Sequence, residues 1–181
     1  MERPNYIALG LMSGTSLDGV DASFLETDGE RIIRLGPSLC LDYSDADKKD
    51  LEDATQAALV WQFAGPRPKS FAAAEAVIHK CHVRAVKALC NAHKDWTDNL
   101  AMIGFHGQTV LHHPPEAPFN GRTLQLGDGE ALAKAIGKPV WYDFRTADIE
   151  AGGQGAPLAP VFHQALVDYS KLDCPTAVLN I

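Results

Sequence analysis

The sequence predicts an α/β fold, with helices packed against a mixed β-sheet. Near the start of the chain, apolar residues alternate with polar ones, as at Val20, Ala22 and Phe24, which is the period of a strand with one buried face. Between about Lys69 and Ala92 the apolar residues instead recur every three or four positions, which is the period of a helix. With 46% hydrophobic content, the 181 residues are enough to bury a core.

The first elements are predicted to be a hairpin and a third strand. Tyr6 to Leu9 is typical of a buried strand, and Val20 to Glu26 supplies its partner. Arg31 to Leu41 follows after a turn, with Ile33 and Leu35 apolar at a spacing of two. Three antiparallel strands therefore open the domain.

Two helices are expected next. Ser44 or Asp45 can cap the first, whose sequence gives it a solvent-facing character, and acidic residues in its first turn suit the helix dipole. A Gly-Pro-Arg-Pro break at 65–68 separates it from the long helix. One stripe of that long helix is predicted to lie in the core: Phe71, Ala74, Ile78, Cys81, Ala85 and Ala88.

The second half of the chain alternates strands and helices. Leu100 to Phe105 is an apolar strand that we expect to end in a polar turn at 106–109. The strand Arg122 to Leu126 precedes a helix over 130–136, for which Asp128 is a candidate N-cap and Gly137 the C-terminal glycine. The remaining predicted elements are a short strand at 139–142, a packed helix from Pro157 to about Val167, and a strand at 176–181.

The loop between the first two strands carries the clearest binding chemistry. Its glycines let backbone N–H groups approach an anion, and two hydroxyls add donors, which suits phosphate. Asp18 and Asp21 would repel phosphate unless a cation such as Mg²⁺ lay between, or unless they orient water or a sugar hydroxyl. The same residue types also form ordinary hairpin turns, so the residues alone leave phosphate binding open. The loop matches neither a P-loop nor a Gly-x-Gly-x-x-Gly motif.

The turn after the strand at 100–105 supplies a second group of candidates. His106 and Gln108 can donate and accept hydrogen bonds to sugar hydroxyls, and open α/β sheets bind ligands at the carboxyl ends of their strands. The alternative is that His106 only ties down its own loop. A metal site formed by His106 with His112 and His113 is disfavoured, because no acidic or thiolate ligand lies at a useful spacing.

A third candidate cluster follows the strand at 139–142. Asp143, Arg145 and Asp148 lie within six residues, and the guanidinium of Arg145 could pair with a ligand carboxylate through two parallel hydrogen bonds. An internal salt bridge between Arg145 and either acid is the alternative. The glycine-rich segment 151–156 then leads into a helix start, which could bind an anion or a sugar oxygen or could simply be a flexible cap.

Charge and cysteine usage narrow the classes of function. The net charge is −7 and no basic patch is evident, so nucleic-acid binding is not expected. The four cysteines contain no Cys-x-x-Cys pair, and this usage is typical of reduced thiols in the cytoplasm. Neither an export signal nor a membrane segment is expected from the sequence.

Four long motifs resemble the anhydro-N-acetylmuramic acid kinase family, within the sugar kinase, Hsp70 and actin superfamily. They occur in the family's order and cover nearly the whole chain. The motifs are GLMSGTSLDGVD at 10–21, GFHGQTVLHHP at 104–114, LQLGDGEALA at 124–133 and YDFRTADIEAGGQGAPLAPVFHQAL at 142–166.

The resemblance implies an actin-like (ribonuclease H-like) lobe with a mixed sheet, flanking helices and a helical insertion. It implies an ATP-dependent kinase of cell-wall recycling, converting 1,6-anhydro-N-acetylmuramic acid, ATP and water to N-acetylmuramic acid 6-phosphate and ADP. Asp18 would meet Mg²⁺ through water. The sugar is expected at His106, Gln108, Asp143, Arg145 and Asp148, and the ATP phosphates at Gly14, Thr15, Ser16, Leu17, Asp18, Gly19, Val20 and Asp21.

Family members of this kind also have a second lobe that carries the general base. We therefore expect residues 1–181 to be the N-terminal lobe, to hold no catalytic base, and to be inactive alone; a homodimer is compatible with the resemblance. A non-catalytic actin-like module that binds a sugar or nucleotide is the alternative from another class. Another kinase of the superfamily, with a different acceptor, is the alternative enzyme.

Overall fold

A computed structural model describes residues 3–172 and residue 177, which form one mixed sheet with helices against it. The helices are α1 (Asp45–Trp61), α2 (Ser70–Ala92), α3 (Lys94–Thr97), α4 (Gly129–Ile136), α5 (Thr146–Glu150) and α6 (Ala159–Ser170). The strands are β1 (Tyr6–Ser13), β2 (Gly19–Thr27), β3 (Ile32–Asp42), β4 (Leu100–His113), β5 (Arg122–Leu126) and β6 (Val140–Tyr142).

The sheet has the strand order β3-β2-β1-β4-β5, and β6 also pairs with β4. The first three strands are antiparallel, as their alternating sequence predicts. β4 then lies parallel to β1 and to β6, and antiparallel to β5. The predicted α/β class with a mixed sheet is therefore confirmed.

Helices α1 and α2 cover one face of this sheet. The α2 stripe is buried as predicted, except that Ala88 is exposed and Leu89 takes the inward position one residue later. The expectation that α1 faces solvent is wrong, because Leu51, Ala54 and Ala58 are fully buried. Alanines in α1 allow close approach to α2, and burial of this apolar surface is the main force holding the helices to the sheet.

Local sequence signals set several element boundaries. Ser44 caps α1 in a reciprocal capping box with Asp47, and the Asp128 carboxylate accepts the Ala131 N–H at the start of α4. Gly137 ends α4 in the left-handed conformation, which glycine adopts without steric cost. These predicted caps are confirmed.

The predicted turn at 106–109 is wrong, because β4 continues through it to His113. Gly107 lies in this stretch with φ +72°, and a Cβ there would be 2.6 Å from the Leu126 carbonyl oxygen. Two steps along β1, from Leu11 to Ser13, match three steps along β4, from Phe105 to Gln108. One extra residue in β4 is therefore accommodated as a bulge, and it changes which face the following side chains point to.

The third strand and the last helix also differ from expectation. Ile33 and Leu35 do alternate, but they are 38% and 48% exposed, and they lie on the face that α1 and α2 leave uncovered. Helix α6 begins at Ala159 rather than at Pro157, and Pro160 occupies its first turn. None of its residues is buried, and its Phe162 lines an open apolar groove of about 630 Å³ together with Leu35.

Two short helices, α3 and α5, have no counterpart in the sequence prediction, and the strand expected at 176–181 lies, apart from residue 177, outside the described residues. None of the helices in the described part of the chain combines the length and apolar character needed to cross a membrane.

Candidate functional site

The sheet brings all the polar candidates to one edge. Leu11, Phe105 and Tyr142 form one row across β1, β4 and β6, which run parallel. The residues that follow this row are the hairpin loop after β1, His106 in β4 and Asp143 after β6. The carboxyl ends of parallel strands therefore converge here, as expected for a ligand site in an open α/β sheet.

The hairpin loop is held in a defined shape from within. Leu17 has φ +56°, a strained conformation for a non-glycine residue, and its side chain is buried in the core. Its N–H donates to the Gly14 carbonyl at 3.2 Å, and the Tyr43 N–H donates to the Asp18 carbonyl at 3.0 Å. The buried side chain of Leu17 thus anchors the loop to the core.

The tip of the loop points outward with free donors. Thr15 and Ser16 are exposed, and in the described part of the chain their N–H groups donate to no protein acceptor. Adjacent unpaired N–H groups in a fixed turn attract an anion. A cavity of about 280 Å³ lies beside them, between the loop and α1, lined by Thr15, Ser16, Leu17, Glu52, Thr55, Gln56, Gln108 and Thr109.

Carboxylates flank the same loop. Asp18 and Asp21 are exposed, and the Cys40 thiol lies opposite Asp21 in the β2–β3 ladder. The carboxylate of Asp21 raises the pKa of Cys40 through a hydrogen bond, and burial and the charges of Asp42 and Asp18 raise it further. The edge of the loop is therefore a negatively charged surface, beside donors suited to phosphate.

Within residues 3–172 no three His, Cys, Asp or Glu side chains are grouped as a metal site. His112 Nδ1 contacts the Thr123 hydroxyl at 3.1 Å, and His113 Nε2 contacts Gln62 Oε1 at 2.8 Å. The disfavoured three-histidine site therefore gains no support. A Mg²⁺ that keeps its waters and binds nucleotide phosphates needs only one or two protein carboxylates, and the exposed Asp18 fits that requirement.

His106 and Arg145, which are distant in sequence, are joined at this edge. Arg145 Nε donates to His106 Nε2 at 3.0 Å, while His106 Nδ1 donates to the Gly107 carbonyl at 2.9 Å. Both contacts require a neutral imidazole with its proton on Nδ1. Burial, and then the charge of Arg145, lower the pKa of His106 and keep the ring neutral.

Arg145 and Asp148 also clamp the glycine-rich segment. Arg145 Nη1 donates to the Gly155 carbonyl at 2.9 Å, and the Gly155 N–H donates to Asp148 Oδ2 at 2.6 Å. None of the ion pairs in the described residues includes Arg145, so the internal salt bridge is not what holds it. Its Nη2 donates to no acceptor in that part of the chain, and this leaves donors for a ligand.

Asp143 adopts a strained backbone conformation at the same place. Its φ is +56°, and its carboxylate accepts the Thr146 hydroxyl proton at 2.6 Å. Asp143 and His106 both line a cavity of about 200 Å³ between β4, β5 and β6. Further polar residues of that cavity were not singled out from the sequence: the β4–β5 pairing brings Thr123 and Gln125 there, and the start of α5 places Thr146 beside Asp143.

Gln108 lies on the other side of the bulge. It is 1% exposed, and it contacts Ser13 and Gly14 on the face that α1 and α2 cover, where the Ser13 hydroxyl also meets the Tyr43 hydroxyl. His106, only two residues earlier, faces Arg145. The two side chains predicted to share a ligand therefore point to opposite faces. No local signal in the sequence marks Ser13 as a partner of Gln108, or Tyr43 as a partner of Ser13.

The chain is similar in sequence to one family of known proteins. The sequence model of a family described as anhydro-N-acetylmuramic acid kinase matches residues 6–181. The chain is similar to proteins named anhydro-N-acetylmuramic acid kinase from Phenylobacterium zucineum, at 47% identity, and from Rhizobium rhizogenes, at 45% identity. Each match covers 96% of this chain and 47% of the relative. The chain thus spans about half the length of the curated relatives it matches.

Proposed function

The chain belongs to the anhydro-N-acetylmuramic acid kinase family, and from that premise we propose that it forms the phosphate- and sugar-binding side of such a kinase. The proposed reaction takes 1,6-anhydro-N-acetylmuramic acid, ATP and water to N-acetylmuramic acid 6-phosphate and ADP. Because the relatives are about twice as long, we propose that residues 1–181 correspond to the N-terminal one of two lobes, and that the general base belongs to the other.

One observation carries the nucleotide part of the proposal: the exposed loop tip with two unpaired N–H groups, at Thr15 and Ser16. Phosphoryl transfer depends mainly on positioning and on neutralising charge. Residues 14–21 would hold the ATP phosphates through N–H groups and hydroxyls. Asp18 would hold a hydrated Mg²⁺, which supplies charge neutralisation when bound.

The cavity at β4, β5 and β6 supports the sugar part of the proposal. A neutral His106 with a fixed tautomer and the carboxylate of Asp143 offer both acceptors and donors to sugar hydroxyls. Arg145 lies beside His106, and its open Nη2 suits a carboxylate such as the lactyl group of a muramic acid. Asp148 keeps the segment at Gly155 in place. A role for Gln108 as a sugar contact stays a prediction.

The proposed substrates also suggest in which cellular compartment the protein acts. Peptidoglycan recycling with ATP would place the protein in the cytoplasm, where the reduced cysteines expected from the sequence would persist. A homodimer stays a prediction.

The test is an ADP-release assay on the full-length protein, with and without 1,6-anhydro-N-acetylmuramic acid. Sugar-dependent release of ADP, with N-acetylmuramic acid 6-phosphate as product, is expected. Nucleotide binding without any turnover would instead favour the non-catalytic module. Release that depends on another acceptor would favour another kinase of the superfamily.

Arg145→Ala tests the sugar site within that assay. We expect the KM for the sugar to rise about tenfold or more, because a charged hydrogen bond to a ligand carboxylate is lost, while the KM for ATP changes little. Arg145→Lys keeps the charge but not the planar fork, so it should recover only part of the loss. An unchanged sugar KM in both variants would remove Arg145 from the site.

A further inference from the structure

We propose that Gln108 is a positioning residue for the phosphate loop, acting through Gly14 rather than touching the sugar. The inference rests on the proposed function, because it assigns the loop at 14–18 to nucleotide phosphates. It differs from the sequence expectation, which placed Gln108 beside His106 in the sugar site.

The hydrogen bonds around Gln108 form a series in which each group donates to the next one toward the loop. Ser13 Oγ donates to Gln108 Oε1, so its proton is used and the Tyr43 hydroxyl must donate to Ser13 Oγ, at 2.8 Å. At the other end Gln108 Nε2 donates to the Gly14 carbonyl at 3.2 Å. The series therefore runs from Tyr43 through Ser13 and Gln108 to the backbone of the loop.

Burial makes this series of hydrogen bonds rigid. Gln108 and Ser13 are each 1% exposed and Tyr43 is 4% exposed, so water does not compete for these bonds. Burial also raises the pKa of Tyr43 to about 12, which keeps its hydroxyl protonated and able to donate. A buried amide whose two ends are both satisfied has little freedom to move.

Gln108 affects the shape of the loop because it bonds the Gly14 carbonyl. The Gly14 carbonyl accepts from both Gln108 Nε2 and the Leu17 N–H, and the bond from Leu17 closes the turn that presents Thr15 and Ser16. Gln108 therefore fixes the carbonyl on which the turn is built. The Thr15 and Ser16 N–H groups are held toward the ligand before it binds, which lowers the entropy cost of binding phosphate.

The bulge at Gly107 directs the side chains of His106 and Gln108 to opposite faces of the sheet. Without the extra residue, Gln108 would share a face with His106 and could not reach Ser13. With it, β4 directs His106 toward Arg145 and Gln108 toward the phosphate loop. One strand thus supports both halves of the site.

The test compares Gln108→Met and Tyr43→Phe with the wild-type full-length enzyme. For Gln108→Met we expect the KM for ATP to rise about tenfold, since two buried hydrogen bonds are lost and each contributes roughly a factor of 2 to 13. The KM for the sugar should stay within about twofold. Tyr43→Phe removes only the hydrogen bond to Ser13, which is the one farthest from the loop. A smaller rise in the KM for ATP, about threefold, is therefore expected. Gln164→Met, the same change at an exposed position of α6, is the matched control and should alter neither constant.

Hydrogen–deuterium exchange of the unliganded protein gives a second readout. In both variants the peptide containing residues 13–18 should exchange faster, while peptides of β2 and α2 keep wild-type protection. Loss of protection throughout Gln108→Met would show that it does not fold, and the decision would then rest on Tyr43→Phe.

The outcomes separate the two proposals. If the wild type releases ADP but the variants keep the wild-type KM for ATP, or raise the KM for sugar equally, the positioning role is overturned and the kinase remains. If the wild type neither binds nor turns over ATP, the loop is not a phosphate site and both proposals fail.

Discussion

At the scale of single residues, the candidate site is defined by groups held in unusual states. Leu17 and Asp143 both have φ +56°, and both lie where the proposed ligands would bind. His106 is held as a neutral ring by burial and then by the charge of Arg145. Strain and shifted proton equilibria persist only where surrounding contacts overcome their cost, so their coincidence at one sheet edge supports a functional site there.

Cys40 provides a residue-scale prediction that is independent of activity. Because its hydrogen bond to the Asp21 carboxylate, burial and neighbouring carboxylates raise its pKa, the exposed thiol should react slowly with iodoacetamide at pH 8. Asp21→Asn should speed alkylation several-fold, and Asp42→Asn should speed it less, because Asp42 acts only through its charge. Peptide mass spectrometry would follow Cys40 alone. Equal rates in the wild type and Asp21→Asn would contradict this account.

At the scale of elements, β4 is the strand on which the site depends. It pairs with β1, β5 and β6, so it lies beside both the hairpin and the strand that precedes Asp143. The bulge divides β4 into two parts. Beyond the bulge, the pairing with β1 is shifted by one residue, so the side chains alternate between the two faces in the opposite order. The two cavities at the site are lined by residues on either side of that bulge.

Helix α1 gives an element-scale prediction, because it starts at a reciprocal cap. Ser44→Ala removes the side-chain acceptor of the Asp47 N–H and should lower the free energy of unfolding by about 1 kcal/mol. Ser70→Ala is the matched control, since Ser70 begins α2 but its buried hydroxyl has no partner in the described residues. The control should cost less than about 0.5 kcal/mol. Urea unfolding measures both; equal losses would show that the Ser44 cap contributes nothing specific.

At the scale of the whole molecule, the core between the sheet and α2 contains the imidazole ring of His82. His82 is fully buried, its Nδ1 contacts the Ile78 carbonyl at 2.7 Å, and its ring packs edge-on against Phe105. Its Nε2 has no hydrogen-bond partner in the described residues. Burial lowers the pKa of His82 from 6.5 to about 4, so the folded protein holds this ring neutral.

The pH dependence of global stability follows from that pKa. The unfolded chain takes up the proton near pH 6.5 and the folded chain only near pH 4, so stability is fully present above 6.5 and falls as the pH drops between these values. The loss should reach about 3 kcal/mol near pH 4. His82→Leu should weaken this dependence without removing it, because the pKa of His106 is also lowered. Urea unfolding at pH 7.5 and 5 checks it, and an unchanged pH dependence in His82→Leu would refute it.

Several local elements and the family follow from the sequence alone. Alternation at Val20, Ala22 and Phe24 marks β2 because its inward face must be apolar, and Ser44, Asp128 and Gly137 mark helix ends because their chemistry acts within a few residues. The four motifs identified the family, which the comparison confirmed. The fold class therefore needed no knowledge of distant contacts.

Which groups meet depends on how the elements pack together. A period of two shows that side chains alternate, but it cannot show which face is covered, so Ile33 and Leu35 are exposed despite their pattern. Nor does it reveal the extra residue at Gly107, which sends His106 to Arg145 and Gln108 to Ser13. Ser13 and Gln108 are 95 residues apart in the chain. Their contact exists because burial of the sheet under α1 and α2 sets the register between β1 and β4, and strand register is a property of the folded chain.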